Sequence, residues 1–174
     1  GSEGIEGYYS ALDILKDLNQ GHEFDFKDKK ISVIGGGNAA IDTARNMIRL
    51  GAEEVNIIYR RSKSDMPAHK DEIKEAEYEK VNIYSHLNPH KIHSKNNKIE
   101  KLECLKVEGG KFDQSGRRKP VEIKDSKLII NTDILISAVG QEVEEYFNKG
   151  KIKVELTKDN LINTEKDFST NVDW

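Results

Sequence analysis

The chain has 174 residues, 36% of them hydrophobic, enough to enclose one core without disulfides or a structural metal. Charged residues make up 34%, yet the formal net charge is only -3, so the strong basic field that nucleic acid or an anionic membrane would need is lacking. The single cysteine, Cys104, excludes an internal disulfide, and no apolar run is long enough for a bilayer helix, so a reducing, cytoplasmic setting is expected.

Tyr8, Leu12, Ile14, Leu15 and Leu18 recur at helical spacing and predict a helix over residues 8–19, stopped by Asn19-Gln20-Gly21. Residues 1–29 therefore read as an opening helix and linker. Ile31-Ser32-Val33-Ile34 is a short apolar run of the kind that forms a buried parallel strand, and three glycines follow at once. From residue 38 to 50 the period becomes helical, through Ala40, Ile41, Ala44, Met47, Ile48 and Leu50, with Gly51 where a C-cap glycine belongs. A second strand is expected over residues 55–59, which completes a βαβ unit and makes the sheet at least partly parallel. A third step follows, with a helix over residues 71–80 and a strand over residues 81–84.

Beyond Pro89 the pattern breaks into short alternating segments, residues 91–94, 99–107 and 121–130. Asn96-Asn97, Gly109-Gly110 and Asp113-Gln114-Ser115-Gly116 separate them, which predicts an antiparallel meander. Residues 133–140 return to an unbroken apolar run ended by Gly140, as a central strand would. The tail offers Ile152-Lys153-Val154 and Leu161-Ile162, a small hairpin. The fold class is α/β: a Rossmann-like βαβ dinucleotide-binding domain with a parallel central sheet and an antiparallel β-meander, spanning residues 30–141, with residues 142–174 as a hairpin and return segment.

Gly35-Gly36-Gly37-Asn38-Ala39-Ala40 supplies Gly-x-Gly-x-x-Gly/Ala between a strand and a helix, the context in which that pattern binds a dinucleotide pyrophosphate. Gly35 permits the tight turn, Gly37 lets phosphate approach the backbone without a Cβ in the way, and Ala40 allows close helix packing. The phosphates would then meet free helix amides and the positive end of the helix dipole. A phosphate-binding P-loop is excluded, because no Gly-Lys-Ser/Thr follows.

The carboxylate that binds NAD ribose hydroxyls stands about twenty residues on, at the end of the second strand. Glu53 and Glu54 satisfy the count but precede Val55, at the wrong end. Tyr59-Arg60-Arg61-Ser62 occupies the ligand end, and guanidinium pairs phosphate in bidentate fashion, so NADPH is expected over NADH. A solvated charge run through Lys63 is the plainer alternative.

Five motifs stand in order: Tyr9-Ser10-Ala11-Leu12-Asp13, Val33 through Asp42, Tyr59-Arg60-Arg61-Ser62, Met66-Pro67-Ala68 and Ala138-Val139-Gly140-Gln141. With them the chain resembles the NADPH-binding domain of the glutamate synthase small subunit family of flavin oxidoreductases. In that family the domain is inserted within an FAD domain, and hydride passes from NADPH to flavin and on through iron–sulfur centres. The resemblance implies that Gly35, Gly36, Gly37, Asn38, Ala39 and Ala40 border the pyrophosphate and nicotinamide. It implies that Tyr59, Arg60 and Arg61 serve the 2′-phosphate end, and that Gly140 and Gln141 form a strand-end loop beside the cofactor. The family's FAD fingerprint and iron–sulfur cysteines are not in these residues. The expectation is therefore an excised domain that binds NADPH but not FAD, with residues 1–29 leading in from a missing FAD domain and residues 142–174 returning toward it, and with the FAD domain and an iron–sulfur domain or subunit as partners.

Hydride transfer is the cofactors' chemistry, so no catalytic residue is assigned and an isolated domain should bind without turnover. Thioredoxin reductase-like enzymes need a redox Cys-x-x-Cys that Cys104 cannot supply, and a buried structural thiol is the expectation there. His86, His90 and His93 are close in sequence but fall on different faces of an extended chain, so no metal site is expected. A stand-alone NADP(H)-sensing module is the alternative function, and a dehydrogenase with its own substrate domain ranks below both.

Overall fold

The computed structural model describes residues 4–112, 118–140, 153–157 and 161–172, in two units, Gly1–Val139 and Gly140–Trp174.

In the first unit, β1 (Tyr8–Ser10), β2 (Lys30–Ile34), β3 (Glu54–Tyr59), β4 (Asn82–Ser85) and β8 (Ile134–Ser137) form one sheet in the order β1-β8-β2-β3-β4. Every pairing in it is parallel. The chain moves outward from β2 through β3 to β4 on one side, while β8 returns on the other, so the strand order reverses between β2 and β8. In open parallel sheets that reversal leaves a crevice beyond the carboxyl ends of the strands, where ligands bind.

Helices α1 (Ala11–Asn19), α2 (Asn38–Arg49) and α3 (Lys70–Tyr78) make the crossovers. Ala40, Ile41, Ala44 and Met47 of α2 are fully buried with Ile31, Val33, Val55 and Ile57 of the sheet. Removing a buried side chain such as Ile41 would cost roughly 2–5 kcal/mol. Gly51 closes α2 at φ 91°, its amide donating to Ile48 O. Arg45 and Arg49 of α2 both reach Glu79, at 2.9 and 2.8 Å, which ties α2 to the end of α3. No described helix is long and apolar enough to cross a membrane.

Residues 8–10, read from the sequence as helix, are strand β1. Tyr8 and Tyr9 carry a period-3.6 pattern into α1, but Tyr8↔Leu135 and Ser10↔Ser137 pairing captures them at the sheet edge. Residues 8–10 are thus part of the sheet, and the first unit ends at Val139.

β5 (Leu87–Lys95), β6 (Lys98–Phe112) and β7 (Arg118–Asn131) form the expected antiparallel meander. Asn96 and Asn97 turn β5 into β6 at φ 50° and 64°, the left-handed pair that a two-residue hairpin requires. Gly109 and Gly110, read as a turn, lie inside β6, where Gly109 pairs with Pro120. They are small because β7 side chains cross them: a Cβ on Gly109 would stand 2.8 Å from Arg118 Cδ, and one on Gly110 2.6 Å from Val121 Cγ2. The Asp113-Gln114-Ser115-Gly116 turn lies outside the described residues.

In the second unit, a bridge between Leu156 and Ile162, with Thr157 N donating to Leu161 O and Asn163 N to Glu155 O, makes a small hairpin. Its first arm uses Leu156 in place of the residues around Val154, and Ile152 lies outside the described residues.

Candidate functional site

Gly35, Gly36 and Gly37 leave β2 at the strand-order reversal. Gly35 N donates to Ile58 O, and the residue sits at φ 147°, where a Cβ would meet Ala138 O at 2.5 Å. The turn is therefore pressed against the end of β8. A Cβ on Gly36 would stand 2.6 Å from the Tyr59 ring. That ring is buried beneath the turn, with its hydroxyl donating to Asp65 O. Tyr59, expected at the ligand, is thus placed under it as a support.

Gly37 differs from both. Its φ of -88° and ψ of 177° suit any residue, and among the described residues a Cβ there would find only Pro67 Cγ, at 4.0 Å. Among the described residues the space in front of α2 is open. Gly37 is the N-cap of α2 and offers no side-chain acceptor, and among the described residues the amides of Gly37, Asn38 and Ala39 donate to no backbone carbonyl. Unpaired amides at the positive end of a helix dipole, facing open space, are suited to an anion and fit the pyrophosphate of a dinucleotide. Ala40 is fully buried, as helix packing requires, and Ala39 is half-buried.

Met66-Pro67-Ala68 forms the far wall. Met66 and Ala68 are buried, Ala68 N donates to Gly36 O, and His69 N donates to Asn38 Oδ1 at 3.1 Å. Asn38, expected toward the nicotinamide, therefore spends its side-chain oxygen holding this loop over the glycine turn. The sequence offered the motif but no reason for it.

Beyond β3, Arg60 and Arg61 lie at the carboxyl end of the sheet, while Glu53 and Glu54 stand at the opposite end, where Lys30 Nζ pairs with Glu53 at 3.6 Å and Asn56 Nδ2 donates to Glu54. Arg60 and Arg61 open into a cavity of about 470 Å³ whose lining includes Ser62, Asp65 and, from the meander, Phe112 and Arg118. Ser62 Oγ donates to Asp65 Oδ2 at 2.5 Å, and Arg61 Nε donates to Arg118 O at 3.2 Å. His86 joins the two sheets through its backbone: at φ 58° its amide donates to Arg61 O and its carbonyl accepts from Val107 N. Arg118 and His86 carried no local sequence signal. Gly140 opens the second unit at φ 95°, and Gln141 lies outside the described residues.

Cys104 is fully buried, and burial, reinforced by the Glu103 charge, pushes its thiol up to about 12. It is no thiolate nucleophile. His93 pairs with Glu103 at 3.0 Å, and Lys127 meets the same carboxylate at 2.9 Å; those two bonds hold Glu103 below the usual carboxylate range. Among the described residues no group of three His, Cys, Asp or Glu side chains could hold a metal.

A parallel sheet with a glycine turn at its reversal, followed by an antiparallel three-stranded sheet, defines a Rossmann-like nucleotide-binding domain. A family model described as pyridine nucleotide-disulphide oxidoreductase matches residues 2–174, and the chain belongs to that family. It is 38% identical to the NADP(+)-dependent formate dehydrogenase subunit beta of Moorella thermoacetica over 87% of this chain and 22% of that protein. It is 33% identical to the NADPH-Fe(3+) oxidoreductase subunit beta of Geobacter sulfurreducens, over 94% and 24%. The glutamate synthase [NADPH] small chain of Escherichia coli is 31% identical, over 80% and 32%. The chain thus spans a third or less of each of these relatives. Among solved structures, thioredoxin reductase of T. acidophilum matches 96% of this chain and 46% of its own, with a TM-score of 0.70 at 18% identity. Mycobacterium tuberculosis FprA in complex with NADPH matches 79% and 46%, with a TM-score of 0.65 at 17% identity. The fold is shared with thioredoxin reductases, although this chain's one cysteine is buried.

Proposed function

We propose that this chain is the NADP(H)-binding domain of a flavin-dependent oxidoreductase of glutamate synthase small-subunit type, presenting nicotinamide to an FAD carried by another domain. The observation that carries the reading is the pairing of two features on one sheet edge. Three amides with no carbonyl partner among the described residues stand at the reversal point, and Arg60 and Arg61 stand at the end of the next strand. The first suits a pyrophosphate, and the second suits a 2′-phosphate. The names of three relatives point the same way, since each carries NADP or NADPH. Those names carry different acceptors, so the shared step is the one at the nicotinamide.

When bound, the nicotinamide supplies the hydride. The chain's own work is to bind and orient. Gly37, Asn38 and Ala39 would take the pyrophosphate, and Arg60 and Arg61 the 2′-phosphate. An FAD domain and an iron–sulfur domain or subunit are the proposed partners, in the cytoplasm.

The test is calorimetric titration of the full chain with NADPH and NADH. Arg60→Ala should weaken NADPH about tenfold or more while changing NADH less than about twofold, as loss of a charge-assisted phosphate contact implies. Equal affinity of the unaltered chain for the two cofactors, or no binding of either, overturns the reading.

A further inference from the structure

The cavity at the end of β3 has a second wall. Arg60 opens into it from the parallel sheet, while Phe112, Arg118 and Pro120 line it from the meander. The two walls are tied where Arg61 Nε donates to Arg118 O at 3.2 Å. Phe112 is the last residue of β6 and Arg118 the first of β7. The Arg118 side chain crosses Gly109, where any Cβ would stand 2.8 Å from its Cδ, and its guanidinium carbon rests over the Phe112 ring, 4.7 Å from the centroid. Nη1 reaches Gly110 O at 3.5 Å. Phe112 is 66% exposed, so its ring is backed by a cation on one face and accessible on the rest.

We propose that Phe112 is the residue on which the adenine of the cofactor stacks, with Arg118 behind it fixing the ring. The inference rests on the NADP(H) reading above and adds the base to it. The 2′-phosphate and the adenine sit on adjacent carbons of one ribose, so a cavity that receives the phosphate at Arg60 must also receive the base. A purine gains most from a flat π partner. Among the described residues two rings line the cavity, Phe112 and His86, and only the first is held by a neighbour, since the His86 side chain makes no bond to any described residue. Cation–π contact orders the Phe112 ring and the Arg118 side chain before ligand arrives, which lowers the entropy lost on binding. Asp65 and Glu108 share the lining and would repel a bare phosphate, whereas the 6-amino group of adenine is a donor that such acceptors can meet.

The experiment titrates the full chain and its variants with NADPH, NADH and adenosine 2′,5′-bisphosphate. Phe112 is mostly exposed, so its variants should melt with the parent, which circular dichroism checks. Phe112→Ala should weaken all three ligands by one factor, about fivefold to a hundredfold, and leave the preference for NADPH over NADH where it was, whereas Arg60→Ala lowers that preference. His86→Asn, which removes the other ring, should change none of the three by more than about twofold. Phe112→Trp should bind at least as tightly as the parent, and adenosine 2′,5′-bisphosphate should quench the emission that the substitution adds to that of Trp174, a signature a merely structural role would not give. Undiminished affinity in Phe112→Ala, a loss confined to the 2′-phosphorylated ligands, a comparable loss in His86→Asn, or unquenched emission in Phe112→Trp at saturating ligand overturns the proposal. If one of these appears while the unaltered chain prefers NADPH and Arg60→Ala removes the preference, this inference fails and the NADP(H) reading stands. If the unaltered chain binds neither dinucleotide, or does not distinguish them, that reading fails and the inference falls with it.

Discussion

Replacing Gly37 by serine should separate binding from stability. Gly37 is the N-cap of α2 in extended geometry, φ -88° and ψ 177°, which serine adopts without strain, and among the described residues a new Cβ would find Pro67 Cγ at 4.0 Å and nothing closer. Serine is a better N-cap than glycine, by a few tenths of a kcal/mol, because its hydroxyl accepts an amide of the first turn. The Ala39 amide, which donates to no described carbonyl, is the nearest candidate. The variant should therefore melt at the same temperature as the parent or slightly above it. The same hydroxyl and Cβ would occupy the space an incoming pyrophosphate needs. Hydrogen bonds to a charged group contribute about 1.5–3 kcal/mol each, so losing one weakens binding about tenfold to a hundredfold. The pyrophosphate is common to both cofactors, so NADPH and NADH should lose affinity by the same factor. Differential scanning calorimetry and titration on one preparation measure both quantities. Undiminished affinity, or a loss confined to one cofactor, would refute the assignment of these amides. Gly35→Ala is the opposite case: at φ 147° and 2.5 Å from Ala138 O, the methyl forces the turn away from β8 and should lower stability together with binding.

Two further outcomes concern the scaffold. Arg45, and after it Arg49, hold Glu79 below the usual carboxylate range by hydrogen bonding. A depressed carboxylate stabilises fully above the ordinary glutamate range and loses that contribution as pH falls through its folded value, so Glu79→Gln should lower the unfolding free energy measured in urea at neutral pH by about 1 kcal/mol, and the difference should close on acidification. Cys104, with its thiol pushed up to about 12, should resist a thiol reagent at pH near 8 and react at once after unfolding in guanidinium; rapid labelling of the folded chain would contradict its burial.

The unit from β2 to β3 was legible in the sequence because each of its signals is local: a β-branched run, a glycine turn, a helical period and a C-cap glycine. β1 was not, since three residues with no glycine or proline before the helix are strand only by virtue of β8, far along the chain. Gly109-Gly110 looked like a turn because composition cannot tell a glycine that bends the chain from one that clears space for a neighbouring strand. The same limit hid Arg118. Its relation to Arg60 and Arg61 arises from how the meander docks on the parallel sheet, and nothing within ten residues announces it. Met66-Pro67-Ala68 was recognisable as a motif, but its work, roofing the glycine turn through Ala68 N and Asn38, is a tertiary fact.

The joint at His86 has a consequence for anyone wishing to alter this domain. Because the bonds to Arg61 O and from Val107 N are main-chain bonds, the histidine side chain takes no part in them, and asparagine or glycine, which tolerate φ near 58°, should serve as well. The segment that follows β3 can then be exchanged for that of a differently selective homologue without redesigning the meander. The two sheets would keep their register, and the residues proposed here to meet the 2′-phosphate become a short cassette seated in a fixed frame.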